Sequence, residues 1–329
     1  MTPPLPFTGP WLLAPMEGVT EACFRDAVLS RHAPEGLGGA FTEFVRVRER
    51  AIPVESLAER LGPRRFPQPV GLQLMGSDPG PLAASVDAAI RAGAPLVDLN
   101  FGCPSPKHFG ACAGSALLAW PERVEALVRA CVTAADGRVP VTAKIRSGVE
   151  DDRRLEELAR AAEAGGASML TVHCRTRDEG YRDCADWGRI ARAVAAVRIP
   201  VCGNGSIRRH GDLARMRSET GCAWAMVGRA ALSNPWIFSD VAAGPADGAR
   251  FLLDYAALMQ ERSGFGAVRT LFRLRQLLGC MASGGVLARA GEPPAEADRR
   301  RKLQAEDLAP VLAWLEERAC APVAAAQPV

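Results

Sequence analysis

One thiol stands at the point where a short apolar run of the sequence stops. Residues 97–104 read Val-Asp-Leu-Asn-Phe-Gly-Cys-Pro, so Cys103 follows a predicted strand and lies in a Gly-Cys-Pro corner. In a barrel of alternating strands and helices, catalytic groups lie at the carboxyl ends of the strands. A thiol at that edge can give up a proton near neutral pH without placing a permanent charge in the site. Cys103 is therefore the candidate catalytic residue, and Cys112 in the following loop is the alternative.

The composition is that of an ordinary globular protein without a strong charge bias. The chain has 329 residues, 48% of them hydrophobic and 23% charged, with a formal net charge of +3, so the chain as a whole shows no strong pull toward nucleic acid. Its ten cysteines include no Cys-x-x-Cys pair, and we expect no metal site.

No run approaches the roughly 18 apolar residues of a membrane helix, and residues 1–10 lack the pattern of a signal peptide. We expect no contact with membranes and a cytoplasmic location.

Short apolar segments alternate with stretches of helical periodicity over about the first 240 residues. Eight strand–helix units in series predict an α/β fold, a (β/α)8 TIM barrel, with a doubly wound open sheet as the alternative. The predicted strands are Leu12–Met16, Ala40–Phe44, Val70–Met75, Leu96–Asn100, Val141–Arg146, Met169–Cys174, Val201–Asn204 and Trp224–Gly228. The strand pattern then stops. We therefore predict a catalytic barrel over residues 1–248, a small helical domain over 249–318 and a disordered tail over 319–329.

Polar and small residues follow several of the predicted strands. In TIM barrels the loops after strands seven and eight often bind phosphate through backbone N–H groups. Here those strands end in Asn204-Gly205 and Gly228-Arg229, which predicts a phosphate site with Arg229 as its charge. Lys144 is one of only three lysines among 40 basic residues. Because arginine supplies most positive charges in this chain, a lysine inside an apolar strand is less interchangeable with arginine than a lysine elsewhere.

These motifs together resemble the tRNA-dihydrouridine synthase family, flavoproteins that reduce uridine in tRNA. The resemblance rests on segments spread in the family's order over residues 12 to 229. They are Ala14-Pro15-Met16-Glu17-Gly18, Asn100-x-Gly-Cys103-Pro104, Gly114-Ser-Ala-Leu-Leu118, Val172-His-Cys-Arg-Thr176 with Tyr181, and Gly203-Asn-Gly205. His108 departs from the pattern, which normally has a small or apolar residue there. The segment Thr42–Val47 resembles the bacterial C-type branch, which acts on position 16 of the D-loop.

The resemblance implies FMN in the mouth of the barrel. Gln73 would bond the polar edge of the flavin ring, and Lys144 would stabilise its anionic reduced form. The other expected cofactor contacts are Ala14, Pro15, Met16, His173, Asn204, Gly205, Ser206, Gly228 and Arg229. NADPH is the expected reductant, although no Gly-x-Gly-x-x-Gly fingerprint follows a strand.

The implied reaction reduces the 5,6 double bond of uridine. A hydride goes from reduced FMN to C6, and Cys103 gives the proton to C5. A uridine in folded tRNA must be swung out of its stack to reach the site, so arginines are expected around the mouth to hold phosphates. The candidate substrate and tRNA contacts are Arg46, Asn100, Arg146, Arg175, Tyr181, Arg269, Arg273 and Arg275.

Two other interpretations stay open at this point. The chain could be an FMN barrel reductase of a free small molecule, of the dihydroorotate dehydrogenase or ene-reductase kind. It could also be an RNA-binding protein that keeps the barrel as a scaffold and needs no flavin. We expect a monomer.

Overall fold

Eight parallel strands close into a barrel. The structure, a computed structural model, describes residues 3–109, 112–182, 185–262, 266–282, 285–287 and 305–320, without the side chains of residues 107 and 108. The strands are β1 (Trp11–Leu13), β2 (Leu37–Phe41), β3 (Val45–Arg46), β4 (Val70–Met75), β5 (Val97–Phe101), β6 (Val141–Arg146), β7 (Leu170–His173), β8 (Val201–Asn204) and β9 (Trp224–Val227). β1 pairs with β2 on one side and with β9 on the other, and β2 also pairs with β4. This closure confirms the predicted TIM barrel and excludes the open sheet.

The second barrel strand is broken, where the sequence predicted a continuous strand Ala40–Phe44. β2 pairs with the beginning of β4, and the short β3 pairs with its end. Between them the hydroxyl of Thr42 accepts a hydrogen bond from the backbone N–H of Gln73 (3.0 Å). A side chain thus replaces a backbone acceptor of the ladder, and this exchange cannot be read from hydrophobic periodicity.

The first strand ends earlier than predicted. The predicted strand Leu12–Met16 stops at Leu13, because Pro15 has no N–H group for a ladder. The chain turns at once, with the N–H of Met16 bonded to the hydroxyl of Thr20 (2.8 Å). Residues predicted to lie against a flat ligand therefore belong to a turn at the strand end.

Helices follow most of the strands. Within the described residues they are α1 (Ala22–Leu29), α2 (Val54–Leu61), α3 (Pro79–Arg91), α4 (Pro106–Phe109), α5 (Pro121–Ala135), α6 (Leu155–Ala164), α7 (Gly188–Ala196), α8 (Gly211–Thr220), α9 (Ala230–Ser233), α10 (Pro245–Glu261), α11 (Ala267–Ala282) and α12 (Ala309–Ala319), with a 3₁₀ helix at Gly114–Ala119. α3 begins as its sequence predicts: Asp78 caps it by accepting from the N–H of Gly80 (3.0 Å), and Pro79 occupies the first turn.

Apolar side chains form a cluster in the barrel core, and polar side chains lie further toward the carboxyl ends of several strands. The apolar cluster comprises Leu12, Ala14, Phe41, Leu96, Met169, Cys202 and Met226. Along β8, Cys202 belongs to this cluster, and Asn204 lies two residues further on the same face of the strand. The barrel therefore presents its polar groups at the edge where the strands end.

Contacts divide the chain into two compact units. One contains the barrel; the other contains residues 23–32 together with the described residues from 229 onward. In the second unit the ring of Phe24 packs edge-on against Phe251 and Tyr255, at centroid distances of 6.1 and 6.3 Å. The predicted boundary between residues 248 and 249 falls inside α10, and the functional division there stays a prediction. Of the predicted tail, Ala319 still belongs to α12, and residues 321–329 lie outside the described part of the chain.

Candidate active site

The candidate thiol lies directly beyond the carboxyl end of β5. The side-chain oxygen of Asn100, on that strand, accepts hydrogen bonds from the backbone N–H groups of Gly102 (2.9 Å) and Cys103 (3.0 Å). The carbonyl of Cys103 accepts two more from Ser115, from its N–H (3.1 Å) and its hydroxyl (2.8 Å). The backbone N–H and carbonyl groups of Cys103 are thus both held by hydrogen bonds. The residue is largely buried, with 7% exposed.

The surroundings of this thiol favour its protonated form. Burial raises the pKa of Cys103, and the negative charge of Glu17 acts in the same direction. A hydrogen bond from the backbone of Ser105 and the positive charges of Arg146 and Arg46 act the opposite way. The balance keeps the thiol protonated at neutral pH, which is the state a proton donor needs.

The loop that follows Cys103 passes close to it. A Cβ added at Gly114, which has a φ of +62°, would lie 3.0 Å from the Cβ of Cys103. Cys112 is exposed and adopts a φ of +50°, in the left-handed region. The alternative thiol is therefore in contact with solvent, whereas Cys103 is sheltered. The side chain of His108 lies outside the described residues.

Gln73 lies behind Asn100. Its Oε1 accepts a hydrogen bond from the Asn100 amide (2.8 Å), and its Nε2 donates to the carboxylate of Asp98 (2.6 Å). The other oxygen of Asp98 accepts from the hydroxyl of Thr142 (2.6 Å). Burial raises the pKa of Asp98, while these two hydrogen bonds and the charge of Lys144 act in the opposite direction. The cofactor contact predicted for Gln73 stays a prediction.

A half-buried cation lies beside Asn100, its register partner on the neighbouring strand. The ammonium of Lys144, on β6, donates to the side-chain oxygen of Asn204 on β8 (3.2 Å), and the Asn204 amide donates to the carbonyl of Met226 (2.8 Å). Burial, followed by the charge of Arg146, lowers the pKa of Lys144 to about 8. The lysine is thus a cation at neutral pH whose hydrogen-bond partner is a neutral amide. This arrangement fits a ligand that places negative charge beside the ammonium of Lys144.

We expect this cation to destabilise the ligand-free protein in a pH-dependent way. Between a pH of about 8 and the ordinary lysine pKa of 10.5, the unfolded chain binds a proton that the folded protein has lost, so the free energy of unfolding rises with pH. Relative to Lys144→Met, the wild type should gain about 3 kcal/mol across this window. Urea unfolding of both flavin-free proteins at about pH 7 and about pH 10 measures the gain. A pH-independent difference would show that the folded protein does not lower the pKa of Lys144.

Arg146 holds two loops together at the end of β6. Its guanidinium donates to the carbonyls of Gly102 (2.9 Å), Thr176 (3.0 Å) and Gly180 (3.1 Å), and it lies 5.3 Å from the centre of the Tyr181 ring. Arg146 is buried, whereas 57% of Tyr181 is exposed. The residue before Cys103 is thereby tied to the loop after β7. The substrate contacts predicted for Arg146 and Tyr181 stay predictions.

A second buried arginine joins the loops after β7 and β8. Arg175 donates to the carbonyl of Arg182 (2.7 Å) and to the hydroxyl of Ser206 (2.5 Å), and it lies 3.4 Å from Nε2 of His173. Ser206 and the preceding Gly205 have φ values of +52° and +126°. The structure therefore brings together four predicted site residues, which are His173, Arg175, Gly205 and Ser206. The guanidinium of Arg175 is hydrogen-bonded to other groups of the protein.

Gly205 has two reasons to lack a side chain. Its φ of +126° disfavours other residues, and an added Cβ would lie 2.6 Å from the sulfur of Cys174. The missing side chain thus leaves room for the sulfur of Cys174 against the loop after β8. Its carbonyl accepts a hydrogen bond from the indole of Trp187 (3.0 Å), which fixes the loop.

The ends of β1 and β9 approach each other. A Cβ added at Gly228 would lie 3.5 Å from the sulfur of Met16 and 3.7 Å from the Cβ of Ala14. Pro15 lies between those two residues and is half-buried. Arg229 follows Gly228 directly, is exposed, and precedes α9 in the second unit. Its predicted phosphate contact stays a prediction.

Three arginines predicted to bind tRNA lie on α11 in the second unit. Arg269 is exposed and Arg273 is half-buried, and the two are one helical turn apart. Arg275 lies outside this face and donates to the carbonyl of Ala305. Sequence analysis missed that Val268 and Phe272, 84% and 62% exposed, share the face with Arg269 and Arg273.

Three site residues were also missed by sequence analysis: Asp98, Thr142 and Ser115. A signal was present for Asp98, because a carboxylate two residues before Asn100 in an apolar strand must find a buried partner. Among the described residues, none of the groups of histidine, cysteine, aspartate and glutamate could hold a metal ion. The helices of that part of the chain are also too short or too polar to cross a membrane.

The sequence is similar to proteins of one family over most of its length. Residues 12–262 match the family model described as dihydrouridine synthase (Dus). The tRNA-dihydrouridine(16) synthase of Ralstonia nicotianae is 40% identical over 235 residues, which cover 69% of this chain and 70% of that protein. The tRNA-dihydrouridine synthase B of Xanthomonas campestris pv. campestris is 39% identical over 239 residues, covering 72% of this chain and 70% of that protein.

A solved structure shares the fold at much lower identity. Histamine dehydrogenase from Rhizobium sp. 4-9 superimposes with a TM-score of 0.55 and 11% identity, over 75% of this chain and 48% of that one. This likeness concerns the barrel architecture alone.

Proposed function

Because the chain belongs to the dihydrouridine synthase family, we propose that it reduces a uridine of tRNA to 5,6-dihydrouridine. The observation that carries the proposal is the sheltered, protonated thiol of Cys103 at the end of β5, held from both sides by Asn100 and Ser115. Reduction of a carbon–carbon double bond needs a proton donor in a site that excludes water, and this thiol satisfies both conditions.

We propose FMN as the cofactor. The chemistry of the residues fits it: the half-buried ammonium of Lys144 has a neutral hydrogen-bond partner, and Gly205 and Gly228 directly follow β8 and β9, where TIM barrels often bind phosphate. Lys144 would face the flavin ring, and the loops at Gly205 and Gly228 would hold the phosphate. Bound FMN in its reduced form supplies a hydride to C6 of the uracil. We further propose NADPH as its reductant, a cytoplasmic location and a monomeric enzyme.

Cys103 completes the reaction by general acid catalysis. Its S–H bond breaks as the proton moves to C5, and the electron pair of the former double bond forms the new C5–H bond. A thiolate is left behind. The positive charges of Arg146 and Arg46 favour that thiolate, because they oppose the effect of burial on the pKa of Cys103. Asn100 would hold the edge of the base beside the thiol.

We propose that α11 binds tRNA through the face that carries Arg269 and Arg273. Guanidinium groups one turn apart can each pair with a backbone phosphate. The exposed ring of Phe272 offers a surface on which an unstacked base can lie. Together they provide charge and stacking, which single-stranded or looped RNA requires.

Replacing both arginines by glutamine should weaken tRNA binding by about tenfold or more and make the salt dependence less steep by about one to two units of log K against log salt. Fluorescence anisotropy with labelled tRNA at several salt concentrations measures both. Arg91→Gln with Arg129→Gln is the matched control, since it removes two exposed charges from α3 and α5. Equal losses in the two double variants would show that net charge alone matters.

The relatives indicate the reaction more clearly than they indicate which uridine of tRNA is reduced. Resemblance of Thr42–Val47 to the C-type branch favours position 16 of the D-loop. A relative named for that position and one named synthase B have almost equal identity to this chain. Position 16 is therefore our proposal, and the experiment maps every position.

Nucleoside mass spectrometry of tRNA from cells with and without the gene tests the function. We expect one D-loop site to lose the added mass of two hydrogens in the deletion strain and to regain it with the wild-type gene. A gene encoding Cys103→Ala should not restore it. If the dihydrouridine profile is unchanged in cells without a redundant enzyme, the chain is instead an FMN reductase of a small molecule.

A further inference from the structure

A chain of side-chain hydrogen bonds begins at a buried carboxylate that the proposed reaction does not use. Asp98 on β5 is 1% exposed. One of its oxygens accepts from Thr142 (2.6 Å) and the other from the amide of Gln73 (2.6 Å). The carbonyl end of Gln73 in turn accepts from the amide of Asn100 (2.8 Å). Each of these groups comes from the strand β4, β5 or β6.

This chain of hydrogen bonds ends on the backbone N–H groups of Gly102 and Cys103. The groups at its two ends determine the direction in which each hydrogen bond is donated. The N–H groups of Gly102 and Cys103 can only donate, so Asn100 must present its oxygen to them. The NH₂ group of Asn100 then faces Gln73, which must present its own oxygen. The NH₂ group of Gln73 consequently faces Asp98, and an ionised carboxylate can only accept. Both amides therefore have a single permitted orientation.

We propose that Asp98 is a positioning residue for proton transfer from Cys103. Its carboxylate fixes the orientation of the Gln73 and Asn100 amides and, through them, the place of the Cys103 backbone at the end of β5. Asp98 touches neither the thiol nor the reacting atoms. This proposal rests on the proposed function, because it assigns Cys103 as the proton donor.

The direction of the chain gives the proposal a sharp genetic test. In Asp98→Asn one acceptor oxygen becomes an NH₂ group, so position 98 can no longer accept from both Gln73 and Thr142, and the hold on the Gln73 amide is weakened. In Gln73→Glu two carboxylates meet at a distance where a hydrogen bond now lies, and the chain breaks. The swap of both residues restores it, because Asn at position 98 donates to Glu at position 73, whose other oxygen accepts from Asn100.

The first readout is the alkylation of Cys103 by iodoacetamide in the flavin-free protein, followed by peptide mass. We expect Asp98→Asn to accelerate it several-fold, Gln73→Glu to accelerate it by about tenfold or more, and the double variant to return toward the wild-type rate. Cys131 on α5, which is completely buried, is the internal control for loosening of the whole fold. Its alkylation should stay slow in all four proteins.

The second readout is the single-turnover rate of uridine reduction with flavin bound. The variants in which Cys103 is alkylated faster should have the lower single-turnover rates. The rate of the double variant should exceed that of Gln73→Glu by at least about tenfold. Additive losses, or alkylation of Cys131 that rises in parallel, would show that Asp98 is only structural and overturn the proposal. If Asp98→Asn does not fold, Thr142→Val removes one donor to the same carboxylate and should accelerate Cys103 alkylation more weakly.

Failure of the proposed function gives a different result. If the wild-type protein does not reduce uridine, the function falls, while the alkylation rates of Cys103 still decide whether Asp98 positions this thiol.

Discussion

Cys103→Ala should retain flavin and lose uridine reduction by a factor of about 10² to 10⁴, the usual contribution of a positioned general acid. The reason is that water becomes the remaining proton source, and the sheltered pocket that keeps Cys103 protonated also limits the entry of water. Reduction of the bound flavin by NADPH should continue at the wild-type rate, because the thiol has no part in that step.

The measurement separates the two half-reactions. Stopped-flow absorbance follows flavin reduction by NADPH, and mass spectrometry of digested tRNA follows the second half-reaction in a single turnover. Cys112→Ala is the comparison variant, since this exposed thiol is the alternative donor. Loss of flavin from Cys103→Ala would mean that the residue is structural. A larger defect in Cys112→Ala than in Cys103→Ala would transfer the acid role to the loop.

The second large effect is expected at Arg146. Its buried guanidinium bonds three backbone carbonyls, one of which belongs to Gly102 beside Cys103. Hydrogen bonds to charged groups contribute about 1.5–3 kcal/mol each, and a buried carbonyl left without a donor adds a desolvation cost. Arg146→Met should therefore lower the free energy of unfolding by about 3 kcal/mol or more, and it should slow uridine reduction because the thiol loop is released.

Urea unfolding and single-turnover reduction measure the two consequences of Arg146→Met. Arg182→Met is the matched control, because Arg182 is exposed and donates to two carbonyls of its own loop, those of Asp178 and Glu179. It should leave stability close to the wild-type value. The sequence-based prediction that Arg146 contacts tRNA gives the opposite pattern, with weaker tRNA binding and unchanged stability. The two roles are thus separated by which quantity changes.

Much of the fold could be predicted from local patterns. The strands Val70–Met75, Val141–Arg146 and Val201–Asn204 have the predicted bounds, because each is a short, largely apolar run that ends in a polar residue or is followed directly by glycine. The start of α3 was equally local, since Asp78 and Pro79 form a cap and a first turn without help from the rest of the chain.

Part of the candidate site was local as well. Asn100 and Cys103 are three residues apart, so the corner that joins them is a property of one segment. Gly205 was found for a similar reason, because the sequence that follows a strand marks where a backbone must turn. The role of each residue in the reaction is implied by the family resemblance.

The remainder was decided by closure of the barrel. Gln73 meets Asp98 across 25 residues of sequence, and Arg146 reaches Gly180 across 34. Such partners depend on strand register, because a shift of one residue turns every side chain to the other face of the sheet. The break in the second strand at Thr42 and the lowered pKa of Lys144 have the same origin. The sequence by itself determined which residues stand at the strand ends. Only the tertiary structure decided which of them meet, since hydrogen bonds and burial between distant segments exist only once the eight strands have closed.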